Sequence, residues 1–532
     1  MPKVFYITTP LYYVNAAPHI GHSYTTVAAD TLARYHRLKG EAVFLLTGTD
    51  EHGQKIEQAA AAAGRSPHIF VDTVVEQFIT LWRMLGISYN DFLRTTQPRH
   101  TQAVQAILTR LRDEGKLVRA AYQGWYCTPD ETFWTEAELA PAIGSAAPVC
   151  PTCQRLLEPV KEVGWHLPMR TAQSWLVQFV TSHPGVVQPT SRYNELLGML
   201  EQPLPESLCI TRPRSRVSWG IPVPFDPEHV TYVWFDALLN YITAPGYIDN
   251  PTRFQQLWPA DVHLIGKDIL RHHAVYWPIL LHALGLPDTL MPQRIMAHGW
   301  WKVGEQKMSK SLGNIVDPTV VIQHVLAGQP YAADIYRYFL LREVPFGQDG
   351  HFSEEALKTR LSADLGNDLG NLVNRTISMI ERYCAGQIPV LESIGCAVED
   401  EPLRQAAMAL PNLVDEAMDR LEFSAALEAI MRLVTSANRY IEVAAPWKLS
   451  KDPQMAGRLR MVLRGLAEVV RIIAITLDPF MPSVAEAIWQ QLGSGTTSRR
   501  LADSQQWGML PTGQPTGPHP VLFPRGKDAT PA

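Results

Sequence analysis

The sequence predicts an α/β protein: a parallel-sheet domain split in two by an insertion and followed by an α-helical bundle. Three observations carry this. The N-terminal stretch reads strand, helix, strand within about 45 residues. Periodicity breaks down between Ala120 and about Pro224, where Gly, Pro and Trp are frequent. From Ser353 onward apolar residues recur at helical spacing.

The first strand is the apolar run Val4-Phe5-Tyr6-Ile7. A proline-bounded turn follows, and Pro18-His19-Ile20-Gly21-His22 enters a helix that Gly40 stops. Helix N-terminal amides and the macrodipole attract anions, so two imidazoles beside Gly21 suit a phosphate. A capped core helix with incidental histidines is the alternative. Glu41 to Leu46 is the second strand, and it ends in Thr47-Gly48-Thr49-Asp50-Glu51-His52-Gly53. A right-handed βαβ crossover makes these strands parallel, and open α/β sheets bind ligands outside their carboxyl ends. Asp50 then suits an ammonium group, where otherwise it is a turn residue.

Helices are predicted from Ser66 to about Leu85 and from Gln97 to about Leu117. Inside the aperiodic stretch, Cys127-x2-Asp130 and Cys150-x2-Cys153 have the separation of about 15–20 residues typical of zinc knuckles. Asp130 stands where a thiolate is usual, and Glu131 competes with it. A redox Cys-x-x-Cys is the rival reading, without the strand and helix context that such a motif needs. Sheet-like sequence returns at Val230–Ala237 and Asp261–Asp268, and helices are expected after both. Trp234, Tyr241 and His273 then share strand ends or helix starts, which favours one pocket over separate core positions. Lys307-Met308-Ser309-Lys310-Ser311, between Gly304 and Gly313, describes a mobile cationic loop suited to polyphosphate. Ser353 is an N-cap, with Glu354 and Glu355 in the first turn. Amphipathic helices follow at about 402–422, 424–443, 454–477 and 482–492.

The totals are those of a globular protein: 532 residues, 46% apolar, 19% charged, net charge −5. Such a length exceeds one core and implies about three to four domains. No window reaches the roughly 18 apolar residues of a membrane span, and neither a signal nor a transit peptide is visible. Cytoplasm is the expected compartment. Cys209, Cys384 and Cys396 are expected to be ordinary thiols.

The Pro18–His22 and Lys307–Ser311 segments, in this order and roughly 285 residues apart, resemble the paired signatures of class I aminoacyl-tRNA synthetases. Each is weak alone. The spacing leaves no room for the large editing insertion of the leucyl, isoleucyl and valyl enzymes. TTPLYYVNAAPHIGH, TGTDEHG, YVWFDALLNY and IGKDILRHHAVYWP look like segments of the methionyl-tRNA synthetase family. The resemblance covers Tyr6 to about Arg525.

It implies a split Rossmann-like catalytic domain in two halves, 1–118 and 225–318, around a connective insertion with a zinc knuckle, 119–224. A linking region at 319–352, an α-helical anticodon-binding domain at 353–525 and a disordered tail at 526–532 complete the chain. It also implies a methionine pocket of Leu11, Tyr13, Asp50, Trp234, Ala237, Tyr241, Ile269 and His273. Leu238 departs from the proline of some members, a change of packing rather than chemistry. ATP would be held by Pro18, His19, Gly21, His22, His298, Gly299, Lys307, Ser309 and Lys310. Of these His19, His22, Lys307 and Lys310 are the catalytic set, with Mg²⁺ sharing the phosphate charge. One structural Zn²⁺ would sit on Cys127, Asp130, Cys150 and Cys153. Asn371, Arg375, Pro446 and Trp447 would read the anticodon of tRNA(Met), initiator included, because unstacked bases stack on indole and pair with amide and guanidinium groups. The expected activity is methionine–tRNA ligation by a monomer, since the family's extra C-terminal dimerising domain has no counterpart before the end of the chain. A cysteinyl enzyme would be expected to bind its thiol through a metal rather than in an apolar pocket. A silent tRNA-binding scaffold would not need His19, His22, Lys307 and Lys310.

Overall fold

The computed structural model describes residues 3–134, 136, 139, 148–151, 153–303, 306–307 (backbone only), 315–390, 397–493 and 499–525. The chain forms two compact units. One comprises Met1–Pro18, Ala42–Trp82 and Tyr89–Gly299; the other comprises His19–Glu41, Arg83–Ser88 and Trp300–Ala532. Among the described residues no helix is long and apolar enough to cross a membrane.

The first unit is built on a six-stranded sheet. Its order is Asp91–Arg94, Val43–Asp50, Phe5–Tyr13, Val262–Gly266, Ile295–His298 and Val187–Gln188, and every pair is parallel. Strands of such sheets are covered on both faces, which explains their nearly unbroken apolar runs. The order reverses between Phe5–Tyr13 and Val262–Gly266, the switch point at which open α/β sheets bind ligands. The first strand is longer than its apolar run predicts. It continues through Pro10 to Tyr13 by way of a register shift between Thr8 and Leu11. Proline has no amide for the ladder, and an irregularity of this kind accommodates it. Beyond the shift Leu11 pairs with Gly48 and Tyr13 with Asp50. Gly48 is required there, since a Cβ would lie 1.8 Å from the Leu93 carbonyl oxygen.

The predicted helices appear at Pro67–Met84 and Pro98–Asp113. The insertion is more regular than its periodicity suggests. A four-stranded antiparallel sheet orders Thr132–Trp134, Val118–Cys127, Glu158–Pro168 and Ser207–Cys209, and helices occupy Gln173–Ser182 and Thr190–Glu201. The Arg212 guanidinium fixes this sheet from inside. It is buried, bonds Glu162 at 3.0 and 3.1 Å, and lies 4.2 Å over the Tyr126 ring.

One expectation is corrected. Val230–Ala237 is not a strand of the parallel sheet. The strand is Asp226–Thr231, it belongs to a small antiparallel sheet, and Val233–Thr243 is a helix. Every residue of that helix is buried, so it carries no polar stripe, and a continuous apolar run does not distinguish helix from strand.

The second unit is mainly helical. The helix Ile20–Leu38 belongs to it, as do Ala332–Arg342, Glu354–Arg360, Asn371–Cys384, Glu401–Asp419, Phe423–Ala444, Ala456–Leu477 and Pro482–Gln491. Ser353 caps its helix as expected, accepting from the Ala356 amide at 3.3 Å. Regular helix begins earlier than Ser353, because Ala332–Arg342 is buried on all sides except near its ends and again shows no stripe. Within it Arg337 is fully buried. It pairs with Asp30 at 2.7 Å and donates to the carbonyls of Leu85, Pro479 and Phe480. This satisfies a guanidinium that would otherwise be costly to bury.

Candidate active site

The residues expected around methionine all belong to the first unit. Leu11 and Tyr13 end one strand and Asp50 ends its neighbour. Trp234, Ala237 and Tyr241 ride on the buried helix Val233–Thr243, while Ile269 and His273 follow the strand Val262–Gly266. The Tyr13 and Trp234 rings meet edge to face at 6.0 Å. Tyr241 and His273 are joined, hydroxyl to Nε2, at 2.8 Å. His273 Nδ1 lies 3.0 Å from the Ile269 carbonyl, which can only accept, so Nδ1 carries the proton and Nε2 takes the tyrosine hydrogen. Burial lowers the His273 pKa to about 4, and the ring is neutral near pH 7. His298 is also buried, with Nδ1 2.8 Å from the Gly299 carbonyl.

Two buried carboxyls behave in opposite ways. Asp236 bonds His52 Nδ1 at 2.7 Å and His100 Nε2 at 2.8 Å. Burial alone would push its pKa up, but the two imidazoles outweigh burial and hold it below the ordinary carboxylate range. Asp50 has an oxygen, Oδ1, with no hydrogen-bond partner among the described residues. Burial first, then the neighbouring Asp236 and Glu131 carboxyls, push its pKa well up. Its neighbour Glu51 is instead bonded by Arg94 at 2.6 and 3.0 Å. Asp50 therefore keeps one carboxylate oxygen without a hydrogen bond, although the Lys55 ammonium, 4.9 Å over the Tyr13 ring, is near enough to act on its charge.

Sequence reasoning left Asp236 and His100 unassigned. Asp236 lies inside YVWFDALLNY and His52 inside TGTDEHG, so both were visible, but only tertiary structure brings His100 to them. His272 was also missed. Its ring stacks on Trp234 at 3.7 Å, and neither of its nitrogens has a partner among the described residues.

The metal candidates form one cluster. Ligand atoms of Cys127, Asp130, Cys150 and Cys153 all lie within 4.8 Å of one another. Cys127 Sγ is 3.5 Å from Cys153 Sγ, and Cys150 Sγ is 3.2 Å from Asp130 Oδ2. These are the edges of a tetrahedron of about 2.0–2.3 Å bonds, so three thiols and a carboxylate fit zinc. Burial and Asp130 raise the Cys153 thiol to about 11, and a cation would reverse that. Glu131 does not compete, because its carboxylate turns away to the Lys55 amide and the Tyr126 hydroxyl.

The phosphate-binding candidates His19 and His22 belong to the second unit, whereas Pro18 ends a segment of the first. The two rings stack at 3.8 Å. His19 Nδ1 accepts from the Gly21 amide and His22 Nδ1 from the His19 amide, both at 3.1 Å. Each neutral ring then carries its proton on Nε2, a donor suited to phosphate oxygen. The Ile20 amide bonds the Val316 carbonyl at 3.1 Å. The leading amides of this helix are thus engaged within the fold. Gly21 is needed for the cap itself: a Cβ there would lie 2.9 Å from His19 Cε1. Lys307 pairs by its backbone with Lys302 in a short antiparallel ladder. Its side chain, with Ser309 and Lys310, lies outside the described residues, as does the 526–532 tail.

The candidate anticodon residues cluster in the second unit. Asn371 Nδ2 donates to Asn438 at 3.2 Å, Arg375 Nη1 pairs with Glu442 at 2.6 Å, and the Arg375 guanidinium lies 5.6 Å over the Trp447 ring. Pro446 starts the short helix that carries Trp447, and it is buried.

A family model described as tRNA synthetases class I (M) matches residues 5–377, and one described as the anticodon-binding domain of tRNA ligase matches residues 405–509. The chain is 47% identical over 526 residues to the methionine–tRNA ligase of Caldanaerobacter subterraneus subsp. tengcongensis, a span of 99% of this chain and 79% of that protein. It is 43% identical to the Bacillus subtilis methionine–tRNA ligase over 98% of this chain and 78% of that one. Among solved structures, Mycobacterium tuberculosis methionyl-tRNA synthetase in complex with methionyl-adenylate aligns with a TM-score of 0.92 at 38% identity. That alignment covers 98% of this chain and 100% of the other.

Proposed function

The chain belongs to the class I tRNA synthetases of the methionine type, and on that premise we propose how its residues divide the reaction. It is an aminoacyl-tRNA ligase. ATP and L-methionine give methionyl-adenylate and pyrophosphate, and methionine then passes to the 3′-terminal ribose of tRNA(Met), initiator included.

Asp50 takes the methionine ammonium. The single observation that carries this is its buried, unpartnered Oδ1 beside the Tyr13–Trp234 pair. A carboxyl forced towards its neutral form regains its charge when a cation enters, so the ammonium is both bound and oriented. Leu11, Ala237, Ile269 and the aromatic rings enclose the side chain. Because His273 Nε2 already takes the Tyr241 hydrogen, the pair has no proton to give the thioether. Selectivity then rests on shape and on sulfur–aromatic contact, worth about 0.3–1.5 kcal/mol per ring, added to about 1–3 kcal/mol for each methylene of fit.

The methionine carboxylate attacks the α-phosphorus in line, and no side chain acts as nucleophile. Catalysis is positioning plus stabilisation of spreading negative charge. The Nε2–H groups of His19 and His22 donate to phosphate oxygens. Lys307 and Lys310, with Ser309, follow the departing pyrophosphate, whose charge a Mg²⁺ ion shares. Each charge-assisted bond contributes about 1.5–3 kcal/mol. Pro18, Gly21, His298 and Gly299 shape the nucleotide's surroundings. One zinc ion on Cys127, Asp130, Cys150 and Cys153 closes the knuckle and takes no part in the chemistry. Asn371, Arg375, Pro446 and Trp447 read the anticodon. One copy of the chain supplies every residue in this scheme, so we propose a monomer, acting in the cytoplasm.

Amino-acid-dependent ATP–pyrophosphate exchange across the twenty amino acids tests the reading. Exchange with methionine alone is expected. Exchange with cysteine instead, or with none, refutes it.

A further inference from the structure

Glu131 stands between the metal cluster and the amino-acid pocket; its amide donates back to the Thr128 carbonyl at 3.3 Å, while its carbonyl and carboxylate accept four hydrogen bonds from the pocket side. Its backbone is left-handed, with φ of 48°, a conformation that an ordinary residue keeps only when its surroundings hold it. Its carbonyl oxygen accepts from two side chains: the Trp234 indole N–H at 3.1 Å and the Tyr232 hydroxyl. Its carboxylate accepts the Lys55 amide at 2.7 Å and the Tyr126 hydroxyl.

The Lys55 contact has its own logic. The helix Gln54–Ala62 begins after Gly53, which has no side chain to cap it. Glu131 supplies that cap from a distant part of the chain, and its negative charge suits the helix N-terminus. Gly53, with φ of 103°, leaves the space: a Cβ there would lie 3.0 Å from Glu131 Oε1. The capped helix directly follows Asp50–Gly53. One residue of the insertion therefore grips two walls of the pocket, the Trp234 indole by its carbonyl and the chain beyond Asp50 by its carboxylate.

We infer that Glu131 is a positioning residue for methionine binding, setting the Trp234 ring and the Asp50 segment without touching substrate. The inference rests on the reading that Trp234 lines the methionine pocket. Among the described residues five hydrogen bonds hold the left-handed turn, and the carboxylate makes two of them. Without the carboxylate the turn relaxes, the carbonyl leaves the indole, and the pocket loses its shape for the amino acid.

The test compares Glu131→Ala, Glu131→Gln, Trp234→Phe and Trp234→Ala in ATP–pyrophosphate exchange, with methionine binding measured by equilibrium dialysis. Glu131→Ala should raise the KM and Kd for methionine about tenfold, with kcat and the KM for ATP changed less than about threefold. Glu131→Gln should recover most of the affinity, because an amide oxygen still accepts from Lys55 and its N–H₂ can donate to Tyr126. Trp234→Phe keeps an aromatic ring but removes the N–H together with part of the indole. The double variant Glu131→Ala/Trp234→Phe should be weaker than wild type by clearly less than the product of the single effects. Unchanged methionine affinity in a folded Glu131→Ala protein overturns the inference. So does an equal rise in the KM for ATP, or fully multiplicative effects in the double variant. Should Glu131→Ala not fold, the Trp234→Phe and Glu131→Gln pair decides: methionine affinity unchanged in Trp234→Phe, or no better in Glu131→Gln than in Trp234→Ala, overturns it. Trp234→Ala separates the two readings. If it leaves methionine affinity intact, the pocket reading itself has failed.

Discussion

The amino-acid pocket and the candidate anticodon face solve recognition in different ways. In the proposed pocket several buried polar groups already have a fixed partner: Asp236 between two imidazoles, Tyr241 on His273, the Trp234 N–H on a carbonyl. Asp50 Oδ1, the Tyr13 hydroxyl and the His272 nitrogens have no partner among the described residues, and of these only the carboxyl oxygen is suited to a cation. On the proposed anticodon face Asn371 and Arg375 are only partly buried, and the proposed reading has them exchange their partners Asn438 and Glu442 for bases. A small ligand is recognised by what a rigid site lacks. On the proposed reading a nucleic acid is met by groups that trade one weak contact for another.

If rigidity is the point of the pocket, the largest effect should follow from breaking its most connected member. Asp236→Ala strands two buried imidazoles and should cost about 3–5 kcal/mol of stability, measured by urea unfolding at pH 7. The sign with pH is set by the depressed pKa of Asp236 in the folded protein. Its stabilisation is complete above the unfolded carboxyl value of about 4 and disappears as pH falls below it, so the two proteins should converge in acid.

Asp50 should behave in the opposite sense. Asp50→Asn should lower kcat/KM for methionine by about 1.5–3 kcal/mol, roughly 10- to 150-fold in pyrophosphate exchange, while leaving the protein as stable or more so. Its folded pKa is raised, so it favours the folded state only at low pH, and that help is lost as pH rises through the folded value. The variant should therefore gain stability relative to wild type as pH rises above the unfolded carboxyl value of about 4. Wild type should release a proton on binding methionine, seen as buffer-dependent heat in calorimetry, and the variant should not. A variant less stable at neutral pH would mean that Asp50 is paired in solution.

These contrasts mark what the sequence could disclose. The strand-to-helix turns, the Cys127–Cys153 knuckle and the four long helices of the bundle follow from local pattern, because one face or one spacing announces them. The helix Val233–Thr243 reads as a strand because burial on all sides erases the stripe that distinguishes the two. The capping of Ile20–Leu38 by its own histidines was hidden for another reason, since a motif specifies residue types and not which nitrogen bonds which amide. Glu131 was legible only as a rival of Asp130. Its hydrogen bonds to Lys55 and Trp234 cross long stretches of sequence, which no spacing rule reaches.

The anticodon face offers the finest discrimination between the two modes. Trp447→Ala should weaken tRNA aminoacylation by about 1–3 kcal/mol, the worth of one stacked base, and leave pyrophosphate exchange at wild-type rates. Glu442→Gln is the smallest and most telling change. Its carboxylate holds Arg375 at 2.6 Å, yet the two side chains are 60% and 29% exposed. Such a pair is worth only about 0–1 kcal/mol, and less in salt. If Arg375 trades this contact for a base edge, removing the charge relieves a competitor. The KM for tRNA should then fall by up to about threefold at low ionic strength, with the advantage fading as salt is added. A rise in KM would instead mean that Glu442 orients the guanidinium for the base, and that this face too depends on a fixed partner.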